Sequence, residues 1–283
     1  LSPWRRTLQV RDLATGVEYE ETYDRLLIAT GARPKALPCA HDQCFRVYNL
    51  RSLEEADAIR ARLTAKPGAT ILIVGASYIG LELVEAALNL GANIHLVDLA
   101  DGPMFRMAPE LRALLREKVE KQGVHCHFGV TVSRVEESAD QLKATLSDGT
   151  VVEADLAVAG VGIKPNSELA DQAGLRLDAT GGILVDRTGQ TSNPQIFAAG
   201  DCAMVNHLLL RQPIYMPLGT VANKQGRVAG ANMAGERALM PGILGTSMVK
   251  FLDLELASTG LSPRQQDLVG YPLATTRVET RTQ

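Results

Sequence analysis

Short apolar runs alternate with amphipathic segments along most of the chain. The runs Leu26–Ala29, Thr70–Val74 and Asp155–Ala159 are almost free of polar side chains, and glycine follows each of them closely. Such runs are typical of strands buried on both faces of a parallel sheet. Ser52 and Glu55 form a capping-box pattern ahead of apolar residues at helical spacing, which predicts the start of a helix. The alternation of strands and helices predicts an α/β fold whose parallel sheet is covered on both faces.

The remaining elements follow from the same periodicities and from glycine and proline at their ends. Further predicted strands are Leu8–Leu13, Val17–Glu21, Asn93–Val97, His125–Phe128, Val130–Val135, Leu142–Leu146, Val151–Glu153, Ile183–Val185, Ile196–Ala199 and Val249–Ala257. Further predicted helices are Tyr78–Leu90, a segment from Pro109 toward Gly123, and most of Pro217–Gly235. Ala32–Pro38 contains two prolines, which predicts a linker between domains.

The composition is that of a globular protein, with 46% hydrophobic and 22% charged residues. A length of 283 residues accommodates one large or two ordinary domains. The formal net charge of −3 argues against nucleic-acid and anionic-membrane partners, which require a basic face. No apolar run approaches the roughly 20 residues that span a bilayer. These observations favour a small-molecule substrate, with no membrane or nucleic-acid partner.

The cysteines argue against a metal framework. Cys39, Cys44, Cys126 and Cys202 include no Cys-x-x-Cys pair and no zinc spacing. In a strand, His125 and His127 share one face and Cys126 the other, so we interpret them as a mixed strand surface and predict no metal. So few cysteines indicate a reducing compartment, the cytoplasm.

Both ends of the chain indicate a piece of a longer protein. The first residue is Leu1, and no signal peptide follows it. A strand without a partner near the C-terminal end is not a stable boundary. We therefore expect a chain cut short at both ends.

A dinucleotide-binding unit is predicted between Thr70 and Asp98. Gly75 permits a tight turn after the strand, and Gly80 lets the helix pack against the strand. Ser77 departs from the three-glycine pattern, but serine is small enough for a pyrophosphate to approach the backbone. The helix start offers free N–H groups and a positive dipole end to the phosphates. The residues that form this turn are Gly75, Ala76, Ser77, Tyr78, Ile79 and Gly80.

Asp98 distinguishes a nucleotide site from a simple packing turn. It ends the next predicted strand about 20 residues further on, where a carboxylate accepts hydrogen bonds from the adenosine ribose. A helix-packing turn explains Gly75 and Gly80 but not this acid. A carboxylate also repels a 2′-phosphate, so NADH is favoured over NADPH unless a basic group such as Arg106 compensates.

Two other strand ends carry small residues and exposed backbone. Thr30-Gly31 follows one apolar run, and Gly200-Asp201 follows another. The Asp201 carboxylate is suited to accept hydrogen bonds from hydroxyl groups. Taken alone, each segment has an ordinary strand-to-loop turn as its alternative explanation.

Taken together, these segments resemble the pyridine nucleotide-disulphide oxidoreductases. The chain looks most like the branch of NADH oxidases, NADH peroxidases and coenzyme A-disulphide reductases. The matching segments run in family order over nearly the whole chain: Tyr23–Pro34, Ile71–Asp98, Gly160–Asn166, Ile196–Ala203, Pro217–Gly235 and Gly245–Leu261.

The resemblance implies two Rossmann-like nucleotide domains and the start of a third, α+β domain. The FAD domain is split into residues 1–43 and 166–240 and is incomplete. An NAD(P)H domain, residues 44–165, is inserted between its parts. Residues 241–283 begin a C-terminal dimerisation domain, so the intact protein is expected to be a homodimer.

The same resemblance assigns cofactor contacts. Asp201 would bind the ribityl chain of FAD, and Leu218–Thr220 would lie near the isoalloxazine ring. Tyr78 would cover the flavin and swing aside for the nicotinamide, with Glu82 and Gly162 beside it; Tyr78 is otherwise a partly buried aromatic residue and Glu82 a solvated one. The full FAD set is Ala29, Thr30, Gly31, Gly200, Asp201, Pro217, Leu218, Gly219 and Thr220.

The implied activity is hydride transfer from NADH to FAD, followed by reduction of a cysteine-linked acceptor: a disulphide such as coenzyme A disulphide, peroxide or oxygen. The family's FAD glycine fingerprint and redox cysteine belong upstream of Leu1, so no catalytic cysteine is expected here, and Cys202 matches a structural position. One alternative is a reductase of a ferredoxin- or rubredoxin-like protein, without a redox cysteine. A second is an NAD-binding fragment with no activity of its own.

Overall fold

The computed structural model describes residues 1–37, 44–138, 140–269, 274 and 276–278, so Cys39 lies outside the described residues. The strands in chain order are β1 (Thr7–Arg11), β2 (Glu18–Thr22), β3 (Leu26–Ile28), β4 (Ala32–Pro34), β5 (Val47–Tyr48), β6 (Thr70–Val74), β7 (Asn93–Asp98), β8 (His125–Phe128), β9 (Val132–Glu137), β10 (Leu142–Leu146), β11 (Val151–Ala154), β12 (Leu156–Ala159), β13 (Ile163–Pro165), β14 (Ile196–Ala198), β15 (Val205–His207), β16 (Gln212–Ile214), β17 (Ser247–Phe251) and β18 (Leu254–Ser258). The α-helices are α1 (Leu53–Ala65), α2 (Tyr78–Asn89), α3 (Pro109–Lys121), α4 (Glu168–Gln172) and α5 (Gly219–Met233), and a 3₁₀ helix spans Pro263–Leu268.

The predicted α/β fold is confirmed. A five-stranded parallel sheet with the order β5-β12-β6-β7-β8 forms the centre of residues 44–165, which we call the inserted part of the chain. Alternate residues of β6 point to opposite faces of this sheet, because side chains alternate along a strand. Ile71 and Ile73 join the helix-side core, which they form with α1, α2 and α3. Leu72 and Val74 join a second core on the other face.

The second face is covered by a sheet rather than by helices. Strands β9, β10 and β11 form a three-stranded antiparallel sheet in the order β11-β10-β9. Its buried residues, among them Val135 and Leu142, pack against Leu72 and Val97 of the parallel sheet. The parallel sheet is therefore covered on both faces, as predicted, by two different kinds of layer.

The predicted capping box starts α1. The amide of Glu55 donates to the Ser52 hydroxyl at 3.2 Å, and the amide of Ser52 donates to the Glu55 carboxylate at 3.2 Å. This reciprocal pair satisfies backbone N–H groups that a helix start otherwise leaves open. Within the described residues, no helix has the length and apolar character needed to cross a membrane.

Residues 1–37 and 166–240, on either side of the inserted part, form the outer part of the chain and contribute a smaller sheet. Strands β3 and β14 pair in parallel, with Leu26 opposite Ile196. Helix α5 packs against β14, where Ala229 meets Phe197 and Ala199 in one small core. The carboxyl ends of β3 and β14 therefore lie at the same edge, followed by the predicted turns at Thr30 and Gly200.

The structure differs from four sequence-based predictions of elements, three of which concern short segments. Ile183–Val185 is not a strand, because Ile183 makes only isolated bridges to Leu177 and to Ala203 and no ladder continues from either. The strand predicted at Val130 begins at Val132 instead, because the Val130 amide donates to the carbonyl of Asp98 and holds Val130 in a turn. The predicted linker contains β4, which pairs with β13 where the chain crosses back.

Val249–Ala257 is not one strand but the β17–β18 hairpin. Alternation continues through the turn, which hides the reversal in the sequence, and Leu252 takes up a left-handed backbone with φ 55°. Phe251 and Leu256 are buried in the core of the inserted part, against α2. The amide of Leu252 also donates to the carboxylate of Glu85 at 2.8 Å.

Candidate functional site

The turn after β6 admits only glycine at two positions. Gly75 has φ 111°, and a Cβ there would overlap the carbonyl of Gly160. A Cβ on Gly80 would overlap the carbonyl oxygen of Gly75. The turn, the start of α2 and the end of β12 are therefore packed backbone against backbone, which is the close approach that the sequence predicts.

The start of α2 is open to a ligand. Ser77 is its N-cap residue but makes no side-chain capping hydrogen bond. The first N–H groups of a helix have no acceptor within the helix, and in α2 these include the N–H groups of Tyr78 and Ile79. Ile79 is exposed and Tyr78 is half-buried. The arrangement suits an anionic group such as a pyrophosphate.

Asp98 lies directly beside this turn. Its carboxylate accepts hydrogen bonds from the amide of Ala76 at 2.6 Å and from the amide of Ala100 at 2.7 Å. The amide of Met104, further along the same loop, donates to the carbonyl of Ala76 at 2.9 Å. The acid at the end of β7 and the glycine turn are thus brought together, as the sequence predicts.

The other residues predicted near the nicotinamide are more scattered. Tyr78 packs at the edge of the helix-side core, whereas Glu82 is exposed on the next turn of α2. Gly162 is exposed, has φ 99°, and its carbonyl accepts from the amide of Lys35 at 2.9 Å. The guanidinium of Arg106 stacks over the ring of Phe105. The roles of these residues at a nicotinamide stay predictions.

The predicted flavin residues gather at the edge of the β3–β14 sheet. The amide of Ala199 donates to the carbonyl of Ile28, which places the two strand ends side by side. Gly200 has φ 84°, and a Cβ there would lie 3.8 Å from Cβ of Ala222 in α5. The first turn of α5 therefore starts close to the turn after β14. The segment that precedes and begins this helix consists of Pro217, Leu218, Gly219 and Thr220.

Gln225, which was not predicted from the sequence, holds this edge together. Its side chain is buried; it accepts from the amide of Gly200 at 3.1 Å and donates to the carbonyl of Met204 at 2.9 Å. The sequence does contain one indication of this role, because Gln225 lies on the buried side of a helix rich in small residues. A buried polar side chain in such a place needs partners.

Arg51 and Tyr215 were also missed. A Cβ on Gly31 would lie 3.7 Å from the guanidinium of Arg51, which comes from the inserted part of the chain. The hydroxyl of Tyr215 donates to the carbonyl of Asp201 at 2.8 Å. Burial, and after it the charges of Asp201 and Cys202, raise the pKa of Tyr215 to about 12, while Arg51 opposes this shift. The edge thus combines a neutral phenol with a cation.

Two of the described cysteines, Cys126 and Cys202, are placed as structural groups, and a third, Cys44, is partly buried against the core on the second face of the parallel sheet. Cys202 is buried, and its thiol lies 3.4 Å from the carbonyl oxygen of Ala199 and 3.5 Å from that of Ile28. Burial, and then the charge of Glu120, raise the pKa of the Cys126 thiol to about 11, which keeps it protonated and unreactive.

Three imidazoles lie together on the β7–β8 edge. Nδ1 of His95 is 3.0 Å from Nε2 of His127, and the ring of His95 stacks on that of His125. Cys126 points to the helix-side core, as strand alternation requires. In the described part of the chain, no group of three or more His, Cys, Asp or Glu side chains is arranged to hold a metal ion. Burial, and then His125 and His127, lower the pKa of His95 to about 4.

This histidine cluster should make folding stability depend on pH. The unfolded chain protonates His95 near its ordinary pKa of 6.5, whereas the folded chain does so only near 4, so the unfolded state gains the proton first. The free energy of unfolding should therefore fall as the pH drops through this window. Because His95 stays partly exposed, we expect a loss on the order of 1–2 kcal/mol. Urea unfolding at several pH values gives the free energy of unfolding as a function of pH. This dependence should be weaker for His95→Gln than for the wild type, and an unchanged dependence would contradict the assignment to His95.

Comparison with known proteins gives consistent matches. The family model for pyridine nucleotide-disulphide oxidoreductases matches residues 2–235. The chain is 33% identical over 276 residues to the NAD(P)H sulfur oxidoreductase (CoA-dependent) of Pyrococcus abyssi, an alignment that covers 97% of this chain and 61% of that protein. It is 37% identical over 221 residues to putidaredoxin reductase of Pseudomonas putida, covering 76% of this chain and 51% of that protein.

A solved structure agrees with these sequence matches. The NAD-dependent persulfide reductase from A. fulgidus superposes with a TM-score of 0.90 at 35% sequence identity, covering 95% of this chain and 50% of that one. The chain therefore spans between 50% and 61% of the length of these three proteins.

Proposed function

Since the chain belongs to the pyridine nucleotide-disulphide oxidoreductase family, we propose that the protein containing it is an FAD-dependent oxidoreductase that passes hydride from NADH to FAD and then electrons to a cysteine-linked acceptor. The observation that carries this proposal is the presence in one chain of two strand-edge turns, one at Gly75 with Asp98 and one at Gly200-Asp201 beside Thr30-Gly31. The chain spans 61% of its sulfur oxidoreductase relative, so the activity is proposed for the whole protein.

The residues at the first turn fit a dinucleotide. Gly75 and Gly80 leave no room for side chains, so backbone lies where the phosphates approach. The uncapped start of α2 supplies N–H donors and a positive dipole end. The Asp98 carboxylate, held by two amides beside the turn, is placed to accept hydrogen bonds from ribose hydroxyls.

The residues at the second edge fit part of a flavin nucleotide. The backbone at Ala29 and Thr30 is exposed there, and Asp201 follows the left-handed Gly200. Arg51 brings a positive charge to the same place, which suits an anionic nucleotide. When bound, FAD supplies the two-electron acceptor that neither this fold nor its side chains provide. The residues of this chain bind and orient it, and the start of α5 closes the edge.

The nucleotide preference gives a direct test of the first turn. Asp98→Asn removes the charge that repels a 2′-phosphate while keeping an acceptor for one amide. We expect the ratio of the Kd for NADPH to the Kd for NADH to fall about tenfold, which corresponds to about 1.4 kcal/mol. Fluorescence titration of both nucleotides measures this ratio. Asp253→Asn, in the exposed turn of the β17–β18 hairpin, is the control. An unchanged ratio in Asp98→Asn contradicts the assignment of this carboxylate to the ribose.

We propose a thiol as the immediate electron acceptor, on a cysteine other than Cys126 and Cys202. Cys202 is enclosed by backbone and Cys126 has a raised pKa, so neither suits the role. A relative that is named a sulfur oxidoreductase supports this choice. Loss of acceptor turnover with retained flavin reduction, on alkylation of the whole protein, is the expected result.

A protein acceptor is the second candidate. The identity to putidaredoxin reductase, 37%, favours it. This candidate needs no redox cysteine. Alkylation that leaves turnover unchanged would therefore favour a ferredoxin- or rubredoxin-like partner over a thiol.

We also propose that the intact protein is a homodimer in the reducing cytoplasm. The scarcity of cysteines supports the compartment. A monomeric mass for the whole protein in solution would contradict the dimer. An NAD-binding fragment without its own activity remains the alternative for the 283-residue chain alone.

A further inference from the structure

The chain crosses between its two nucleotide sites twice, and the crossings pair with each other. Strand β4 leads into the inserted part, β13 leads out of it, and the two are antiparallel. Two further backbone bonds extend the ladder at both ends: the amide of Lys35 donates to the carbonyl of Gly162, and the amide of Asn166 donates to the carbonyl of Gly31, each at 2.9 Å. The two crossings therefore form one short ribbon rather than two independent linkers.

The side chain of Asn166 closes the outer end of this ribbon. Its oxygen accepts from the guanidinium of Arg33 at 2.6 Å, and its amide nitrogen donates to the carbonyl of Thr30 at 2.9 Å. The hydroxyl of Thr30 donates in return to the carbonyl of Asn166. The side-chain amide thus accepts one hydrogen bond and donates another. Aspartate has no donor in its ionised form and leucine has neither group, so neither residue can replace it.

Glu168 holds Arg33 in this arrangement. The two side chains form an ion pair, each about half exposed. The hydrogen bond from Arg33 is the main cause that lowers the pKa of Glu168. Glu168 lies in the first turn of α4, so it fixes the guanidinium to a helix on the outer part of the chain. We call Thr30, Arg33, Asn166 and Glu168 the interdomain clasp.

The interdomain clasp is connected to both the dinucleotide turn and the flavin edge, through the chain itself and through packing. On one side, the chain runs from Gly162 back to Gly160, whose carbonyl packs against Gly75 in the dinucleotide turn. On the other side, Thr30 and Gly31 directly follow β3, at the edge that fits the flavin. No other ribbon of paired strands joins the two halves within the described residues.

We propose that the interdomain clasp fixes the orientation of the NADH-binding part relative to the flavin edge, with Asn166 as its central positioning residue. This inference rests on the proposed function for its catalytic consequence, because the orientation sets the distance between nicotinamide and flavin. The fixed orientation of the two parts of the chain does not itself depend on the proposed function. Hydride transfer is steep in distance, so a small loss of alignment slows it without weakening either nucleotide site.

Two variants loosen the clasp in different ways. Asn166→Ala removes both amide partners at once. Arg33→Met is the second variant. Because Arg33 is half exposed, this variant should fold even if Asn166→Ala does not. Lys250→Met removes a comparably exposed ion pair, with Glu255, in the β17–β18 hairpin and is the matched control. Lys121 of α3 and Lys224 of α5, which are both exposed, are replaced by non-natural amino acids that carry the spin labels. The labels then do not react with the native cysteines.

The first measurement is the distance distribution between these labels in the 283-residue chain. We expect its width to about double in both clasp variants and to stay unchanged in the control. The second is the rate of flavin reduction at saturating NADH in the whole flavin-loaded protein, which should fall about tenfold. The Kd for NADH should stay within about twofold of the wild-type value.

Unchanged distributions in both clasp variants would overturn the proposal. A broadened distribution with an unchanged reduction rate would overturn its catalytic part. If the wild-type protein neither binds NADH nor is reduced by it, the proposed function fails, while the distance distributions still decide whether the clasp sets the orientation.

Discussion

Replacing Gly80 by alanine is expected to weaken NADH binding at least about a hundredfold, which corresponds to about 2.7 kcal/mol. The added Cβ would overlap the carbonyl oxygen of Gly75, and that atom belongs to backbone, so the turn itself must move. A displaced turn misplaces the first N–H groups of α2 and the Ala76 amide that binds Asp98. Overpacking should also cost about 1–3 kcal/mol of stability. Calorimetric titration with NADH and urea unfolding measure the two effects.

Gly230→Ala separates this effect from a general response to losing a glycine. Gly230 lies in α5, and apart from its own helix backbone no atom lies within 4 Å of a Cβ placed there. Alanine should raise helix stability by about 0.5–1 kcal/mol and leave the Kd for NADH unchanged. Equal NADH binding by Gly80→Ala and the wild type would show that the turn after β6 is not where the pyrophosphate binds.

Replacing Gln225 by leucine is expected to lower the free energy of unfolding by about 2–4 kcal/mol. Leucine fills similar space but leaves the Gly200 amide and the Met204 carbonyl without their partners. Each such group costs about 1–3 kcal/mol when it is left buried without a hydrogen bond. Because the turn at Gly200-Asp201 then loses its anchor to α5, flavin should dissociate more readily from the whole protein. Urea unfolding and flavin release report the two consequences.

The neighbouring Lys224 offers a control for this prediction. It is exposed on the same helix, so Lys224→Gln should change stability by no more than about 0.5 kcal/mol. If Gln225→Leu unfolds at the same urea concentration as Lys224→Gln, the two hydrogen bonds do not stabilise the flavin edge.

Local patterns made the dinucleotide turn predictable. Gly75, Gly80 and the start of α2 follow one another within a single strand–turn–helix unit, so spacing alone places them. Asp98 was predictable for a related reason: a parallel neighbour strand ends at the same edge of the sheet. The capping box at Ser52 likewise depends on residues three apart in the sequence.

Partners that are distant in sequence were not predictable. Gln225 binds an amide 25 residues away, and His95 meets His127 across 32 residues. Arg33 and Asn166 are separated by 133 residues, so neither crossing taken alone predicts the interdomain clasp. The β17–β18 hairpin was missed for a different reason, since its alternation of polar and apolar residues continues through the turn.

Anaerobic addition of NADH to the purified, flavin-loaded protein that contains this chain tests the proposed hydride transfer most directly. The absorption of the oxidised flavin is followed while NADH is added. We expect a stoichiometric amount of NADH to bleach the flavin, and Gly80→Ala to slow the bleaching strongly at the same nucleotide concentration. NADH that binds tightly while the flavin stays oxidised would contradict hydride transfer between the two sites.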